Sequence, residues 1–372
     1  MSQGSYRAFL PRPLPPVPPI KTDAALERKL SLANLALGRL DGIGRFLVDA
    51  DTWQYSQVRK EAVLSSQIEG TQSSLSDLLL HEHEGSPGVP VEDVTEVSNH
   101  VAAMNLGLAQ LPKLSLSLRL VREVQRVLVT GSRGGARAAG ELRRTQVWLG
   151  GATPQTAAFV PPPAQEVLPA LGALERFVHA SALPVLVKAA LMHAQFETIH
   201  PFLDGNGRVG RILIPLLLVH EGALHRPLLT LSLYFKRHRT AYYDALQRVR
   251  THGAWEAWIG FFLDGVAQSA TEGVEVIDKL MKLVEHHRSL VEGSRSGSIY
   301  QRAAGSTNQH VFEYLRRRLA LRVPEAAREL GLTKPTVGRA LRELQALGIA
   351  REATGKKRDR VYTYGPYVDL LM

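Results

Sequence analysis

The chain contains no cysteine among its 372 residues. That excludes a disulfide-stapled scaffold, a thiolate-held zinc or iron–sulfur centre and a thiol nucleophile, and it fits a reducing compartment. Long hydrophobic runs are lacking as well. The longest, Ile212 to Val219, contains Pro215 and falls far short of the ~20 residues a bilayer span requires. The first residues lack the basic-then-apolar pattern of a secretory signal, so a cytoplasmic protein with no membrane partner is expected. No internal repeat is visible, and strand signals are scarce before residue 300. Acidic residues are in deficit: 35 Asp and Glu face 45 Lys and Arg, a net charge of +10. A basic balance admits nucleic acid, nucleotides or an anionic surface as partners.

What is present is mostly helical periodicity in a chain that is 45% hydrophobic, enough for a sizeable core. Leu10 to Pro19 reads as an extended polyproline arm. Leu26, Leu30, Ala33 and Leu37 then recur at helical spacing, with a break expected at Gly42 and Gly44. Further helices are expected over 53–67 (ending near Gly70), 73–80, 92–111, 118–129, 164–180, 185–197, 209–221, 240–251, 255–270 and 272–291. Residues 84–90 and 133–140 read as loops. Gln146 to Leu149, Gly150-Gly151 and the exit at Pro161 read as a hairpin or flap. His81, His83, His286 and His287 are expected as solvated helix residues. The domains expected are an arm over 1–22, a helical region over 23–112, a central domain over 113–291, a linker over 292–305 and a C-terminal module over 306–372.

One stretch concentrates chemistry: His200-Pro-Phe-Leu-Asp204-Gly-Asn-Gly-Arg208-Val-Gly-Arg211. Pro201 disfavours helix at His200, placing the imidazole in a turn beyond a long apolar helix. Gly205-Asn206-Gly207 lets backbone N–H groups approach an anion, and the helix that starts there adds its positive end. Arg208 and Arg211, three apart, share a helix face and can grip one polyphosphate. Asp204 is a hard oxygen ligand suited to Mg2+. His200 titrates near neutrality and can take a hydroxyl proton. These are the parts of a magnesium–nucleotide transferase site.

The stretch resembles the Fic signature at every fixed position, and the chain from about Leu10 to Val266 is similar to Fic proteins with an N-terminal inhibitory helix. The resemblance implies transfer of AMP from ATP to a Ser, Thr or Tyr hydroxyl of a target protein and of the enzyme itself, with release of pyrophosphate. It implies His200 as base and Asp204 as the Mg2+ ligand. Gly205, Asn206, Gly207, Arg208, Val209, Gly210 and Arg211 would hold the nucleotide, and Phe202 would be a buried anchor. Gly207 separates the chain from the Doc-type kinase branch, which departs from the pattern there. The flap resembles the family hairpin, with Leu149 and Gly150 as contacts, and Tyr242-Tyr243 resembles an adenine-side Tyr pair. His193 and Glu197 would brace the site. Ser65-Ser-Gln-Ile-Glu69-Gly70 fits the inhibitory pattern, in which Glu69 would pair with Arg211 and displace the outer phosphate. A homodimer is common among such relatives.

The last 67 residues hold 13 Lys and Arg against 7 Asp and Glu, a surplus of +6, leaving +4 for the rest. A helix over 323–330 ends at Gly331. Thr333 is an N-cap for a second, whose apolar face is Val337, Ala340, Leu341, Leu344 and Leu347. A hairpin with a basic turn follows. This resembles a winged helix-turn-helix. Lys334, Thr336, Arg339 and Arg342 would face DNA, and Lys356, Lys357 and Arg358 would lie in the wing. The expected architecture is therefore mainly α: a Fic-type helical bundle with a small β-hairpin flap, plus the winged module. Two alternatives to an AMP-transferring enzyme stay open, an ATP-sensing DNA-binding regulator and a de-AMPylating Fic enzyme.

Overall fold

A computed structural model describes residues 5–47, 49–83, 88–131, 138–293 and 299–372. Among them are fifteen helices and three short strands. No described helix is long and apolar enough to cross a membrane. Residues 294–298 of the expected linker, 84–87 of the first expected loop and 132–137 of the second lie outside the described residues.

The helices start where the sequence supplies caps. α1 (Ala24–Phe46) begins at Asp23, whose carboxylate accepts the Leu26 N–H at 2.8 Å. It runs through Gly42 and Gly44 instead of breaking there. A Cβ at Gly44 would lie 2.2 Å from Leu228 Cδ1, so glycine is kept for close packing inside an intact helix. α2 (Ala50–Glu69) ends on Gly70 at φ +110°, the left-handed stop expected of a glycine. α3 (Leu75–Glu82) opens with a capping box between Ser74 and Asp77. α4 (Val91–Leu114) and α5 (Leu118–Leu128) form an adjacent pair.

After α6 (Ala164–Ala180), the central helix α7 (Val185–Ile199) is buried almost all round and packs on α8 (Asn206–His220). The short α9 (Leu231–Arg237) escaped the periodicity, being only seven residues long. α10 (Arg239–His252) follows. The two helices expected over 255–291 are one 39-residue helix, α11 (Trp255–Gly293). Nothing between Ala270 and Glu272 is a helix breaker, and α1 packs along it, with Leu40 Cδ1 3.1 Å from where a Gly273 Cβ would sit.

α12 (Ile299–Arg318) leads into β1 (Ala320–Arg322), α13 (Val323–Glu329) and α14 (Lys334–Ala346). Then come β2 (Ala350–Glu352), β3 (Val361–Tyr364) and α15 (Gly365–Leu371). The sheet is antiparallel in the order β1-β3-β2, with Leu321 opposite Tyr362 and Arg351 opposite Thr363. This is a helix-turn-helix with a wing, as expected, although β1 and α15 gave no sequence signal.

The C-terminal elements sit against α2. Arg316 on α12 grips Asp49, the α2 N-cap residue, through two contacts of 2.7 and 2.9 Å. Tyr367 on α15 hydrogen-bonds Ser56 on α2. His83 lies 3.2 Å from Glu325, and the buried His287 lies 2.7 Å from the Tyr364 hydroxyl. These two histidines line the junction and are not the solvated residues expected.

Candidate functional site

The motif occupies the turn between α7 and α8. His200 is the C-cap of α7 and adopts the left-handed conformation, φ 49° and ψ 62°. Pro201 explains why the helix cannot continue. Asn206 fixes the turn: its side chain accepts the Phe202 N–H at 2.8 Å and donates to the Phe202 carbonyl at 2.9 Å. The Phe202 ring is fully buried below. Gly205, at φ +81°, is the N-cap of α8, so the leading N–H groups of that helix face the turn. The Gly205 N–H itself is directed to Asp204 Oδ1 at 2.6 Å.

Both arginines lie on the buried face of α8 and both are engaged. Arg208 reaches Glu96 at 2.9 Å and the Asp204 carboxylate at 3.3 Å. Arg211, with a side chain only 1% exposed, donates to Ser65 Oγ at 2.8 Å, to the Ser65 carbonyl at 3.0 Å and to Glu69 Oε1 at 2.6 Å. The last turn of α2 therefore lies directly over the start of α8. Burial pushes the Glu69 carboxyl up, but the charge and hydrogen bond of Arg211, helped by Arg208 and His200, outweigh it and hold the group below the usual range. A Cβ on Gly207 would lie 2.3 Å from Glu69 Oε1, so any larger residue at 207 would push the Glu69 carboxylate from this position.

Burial, with the charges of Arg250 and Arg143, holds His200 down at about 4. The imidazole is therefore neutral at neutral pH and free to accept a proton. Behind it, His193 bridges the Gly210 carbonyl (3.1 Å) and the Tyr242 hydroxyl (2.7 Å). Its own pKa is pushed down to about 3 by burial. Glu197, also fully buried, is pushed up to about 7 by desolvation.

Three of the residues expected to contact the nucleotide, Val209, Gly210 and Tyr242, are buried in this structure. Val209 is buried in the core, and its N–H donates to the Gly205 carbonyl at 2.9 Å. Gly210 faces His193 and Glu197 instead of the turn. Tyr242 is 1% exposed, with Phe235 stacked on it at 4.5 Å and Trp258 beside it at 6.0 Å, so its ring has no face left for a base. Tyr243 stays 41% exposed, with Arg239 5.6 Å from its ring centre.

The flap is thinner than a hairpin. Leu149 and Phe159 form one antiparallel bridge, with bonds of 2.9 and 3.2 Å, and Gly150 turns at φ +71°. The prolines at 161–163 have no N–H with which to extend it.

Four site residues gave no sequence signal. Glu96 partners Arg208. Gln125 holds the Asp204 carbonyl at 3.1 Å. Arg250 binds Thr198 Oγ1 and the Glu197 carbonyl, each at 3.3 Å, and lies 4.1 Å above the Phe159 ring. Arg143 donates to the His200 carbonyl at 2.8 Å. All are single polar residues on other elements, which spacing within the motif cannot reveal.

Comparison with known proteins bears on the same residues. The Fic/DOC family N-terminal domain matches residues 27–109, and the Fic/DOC family domain matches 115–218, so together they take in half of the chain and the whole turn. The chain belongs to the Fic/DOC family. The IclR helix-turn-helix domain matches residues 310–353. Among Fic relatives, the protein adenylyltransferase Fic of Drosophila melanogaster is 28% identical over 205 residues, 53% of this chain and 38% of that one. Its counterpart in Culex quinquefasciatus is 36% identical over 128 residues, 34% and 23% of the two chains. The chain thus spans less than two fifths of the length of these curated relatives. A crystal structure of a Fic family protein from Desulfovibrio desulfuricans G20 shares the fold across 93% of this chain and 97% of its own, at TM-score 0.61 and 17% identity. Fic-1 from C. elegans does so across 68% and 74%, at TM-score 0.51 and 20% identity.

Proposed function

We propose that this Fic protein is a self-inhibited protein adenylyltransferase, transferring AMP from ATP to a Ser, Thr or Tyr hydroxyl of a target protein and of itself. The observation that carries the reading is the convergence of a neutral imidazole, a carboxylate and two buried arginines on the start of α8. His200 takes the proton of the acceptor hydroxyl. The oxygen attacks the α-phosphorus, a new phosphate ester forms, and the bond to pyrophosphate breaks. The N–H groups at the start of α8 cradle the phosphates, and Arg208 and Arg211 offset the charge of the outer ones.

Asp204 fits Mg2+: its carboxylate is 46% exposed at the mouth of the turn, and magnesium held mainly by phosphates and water needs only one or two such ligands. The ion would offset phosphate charge.

In the closed arrangement Glu69 occupies the guanidinium that the outer phosphate needs, which is the proposed brake. The C-terminal module binds DNA in this reading. Lys334, Arg339 and Arg342 on α14 and Lys356, Lys357 and Arg358 in the wing are all exposed, with Thr336 half-buried among them.

The test is incubation of the Glu69→Gly protein with magnesium and ATP labelled at either the α- or the γ-phosphate, with His200→Ala as control. Protein-bound label from the α position only, lost in the control, is the expected result. Label from the γ position would make the protein a kinase and overturn the reading, as would no label from either.

A further inference from the structure

Arg143 is only 3% exposed and has no carboxylate partner among the described residues. A buried guanidinium without a counter-ion is costly unless its donors are filled. Here backbone carbonyls from three segments, the catalytic turn and the two ends of the flap, fill them. On the catalytic turn, Nε donates to the His200 carbonyl at 2.8 Å, and one terminal nitrogen donates to the Ile199 carbonyl at 3.4 Å. The Arg143 main-chain N–H adds the Pro201 carbonyl at 2.9 Å. On the flap side, the guanidinium reaches the carbonyls of Thr145 at 3.2 Å and Pro162 at 2.5 Å.

The residue at the centre of this set is the one with a backbone problem. His200 is a non-glycine residue in the left-handed region, which costs on the order of 1 kcal/mol and persists only where neighbours enforce it. Arg143 binds the carbonyls of the residue before His200, of His200 itself and of the residue after it. A planar fork of fixed donors suits this task. A lysine, with one ammonium on a flexible stem, cannot bridge three segments at once.

We propose that Arg143 is a positioning residue for the transfer: it locks the His200 peptide in its left-handed conformation and ties it to both ends of the flap, setting base and flap in one register. The inference rests on the adenylyltransferase reading. It assigns no contact between Arg143 and ATP.

The test compares Arg143→Lys with Arg144→Lys, both in the Glu69→Gly background. Arg144 is the neighbouring, 86% exposed side chain and serves as the control. The expected result for Arg143→Lys is a kcat lower by about 10- to 100-fold, the penalty typical of a base displaced by about an ångström. ATP affinity, measured by calorimetry, stays within threefold of the parent, and Arg144→Lys matches the parent in both. Because a charged core residue is being changed, retained ATP binding also reports that the variant has folded. The His200 ring signals in an NMR spectrum supply a readout that needs no turnover: they shift in Arg143→Lys and not in Arg144→Lys. Unchanged kcat with unchanged His200 signals overturns the proposal. So does parallel loss of kcat and ATP binding, which would mark a purely structural residue. If the Glu69→Gly parent itself transfers no AMP, the functional reading fails, and the His200 signals alone decide on Arg143.

Discussion

Removing Glu69 should release a measurable and bounded amount of activity. In the closed state Arg211 makes three hydrogen bonds, two of them to Ser65, and only the 2.6 Å bond to Glu69 pairs it with a charge. A hydrogen bond to a charged group contributes about 1.5–3 kcal/mol. The Glu69 side chain is 37% exposed, so solvent screening favours the lower part of that range. At about 1.4 kcal/mol per factor of ten, the outer phosphate in the wild type competes against a handicap of roughly 10- to 30-fold. Glu69→Gly should therefore raise the rate of self-labelling from α-labelled ATP by about that factor at subsaturating ATP. Glu69→Asp, one methylene short of Arg211, should fall between the two. His200→Ala should abolish labelling in every background. A Glu69→Gly rate within twofold of wild type, with labelling still dependent on His200, would refute the competition argument, because the carboxylate would then not be limiting productive binding.

Other consequences can be checked with the same preparations. In Glu69→Gly the rate should stay flat from about pH 8 to below pH 5. Burial and Arg250 hold His200 near 4, and the variant removes the Glu69 carboxylate, which raises it; an acid limb near the ordinary ~6.5 would contradict this. The same depressed pKa makes the fold lose stability as pH falls from ~6.5 through about 4, since the unfolded chain takes up the proton first; thermal melts across that range test it. Gly210→Ala should destabilise the protein by about 1–3 kcal/mol, because the new Cβ would lie 2.8 Å from Glu197 Oε1 and 3.3 Å from the His193 ring; denaturant titration measures the change. If the module grips DNA, Arg342→Ala should weaken duplex binding and lower the slope of log affinity against log salt by about 1. An unchanged slope would take Arg342 out of the interface.

How much of this was legible beforehand follows from how local each signal is. The turn from His200 to Arg211 was readable because Pro201, three glycines and the arginine spacing act on adjacent residues. The Thr333 cap and the apolar face of α14 were readable for the same reason. The fate of Gly42 and Gly44 was not. Glycine weakens a helix in isolation, and only the packing of Leu228 against Gly44 shows why the helix persists. The length of α11 was hidden because Thr271 and Gly273 stand near its middle, and only the packing of Leu40 against Gly273 shows why the helix runs on. The Tyr242-Tyr243 pair looked alike in sequence, yet one ring is locked against Phe235 and the other is half-open. That difference is set by α9, an element too short to announce itself. Arg143, Glu96, Gln125 and Arg250 act across tens of residues on other helices or loops, and no spacing rule within the motif reaches that far.

Helix α2 carries Asp49 and Ser56, held by the C-terminal elements, and Ser65 and Glu69, held by Arg211. Twenty residues of helix make a rod about 30 Å long, with the two groups of contacts toward opposite ends. Free-energy coupling through such a rod is reciprocal by necessity. Were release of Asp49 linked to release of Glu69, a ligand of the C-terminal elements that binds more tightly when they let go of Asp49 would also bias Glu69 away from Arg211. Under the same linkage, a nucleotide that displaces Glu69 would loosen the grip at Asp49 by the same factor. A ligand indifferent to that grip would leave the catalytic turn untouched, however tightly it bound.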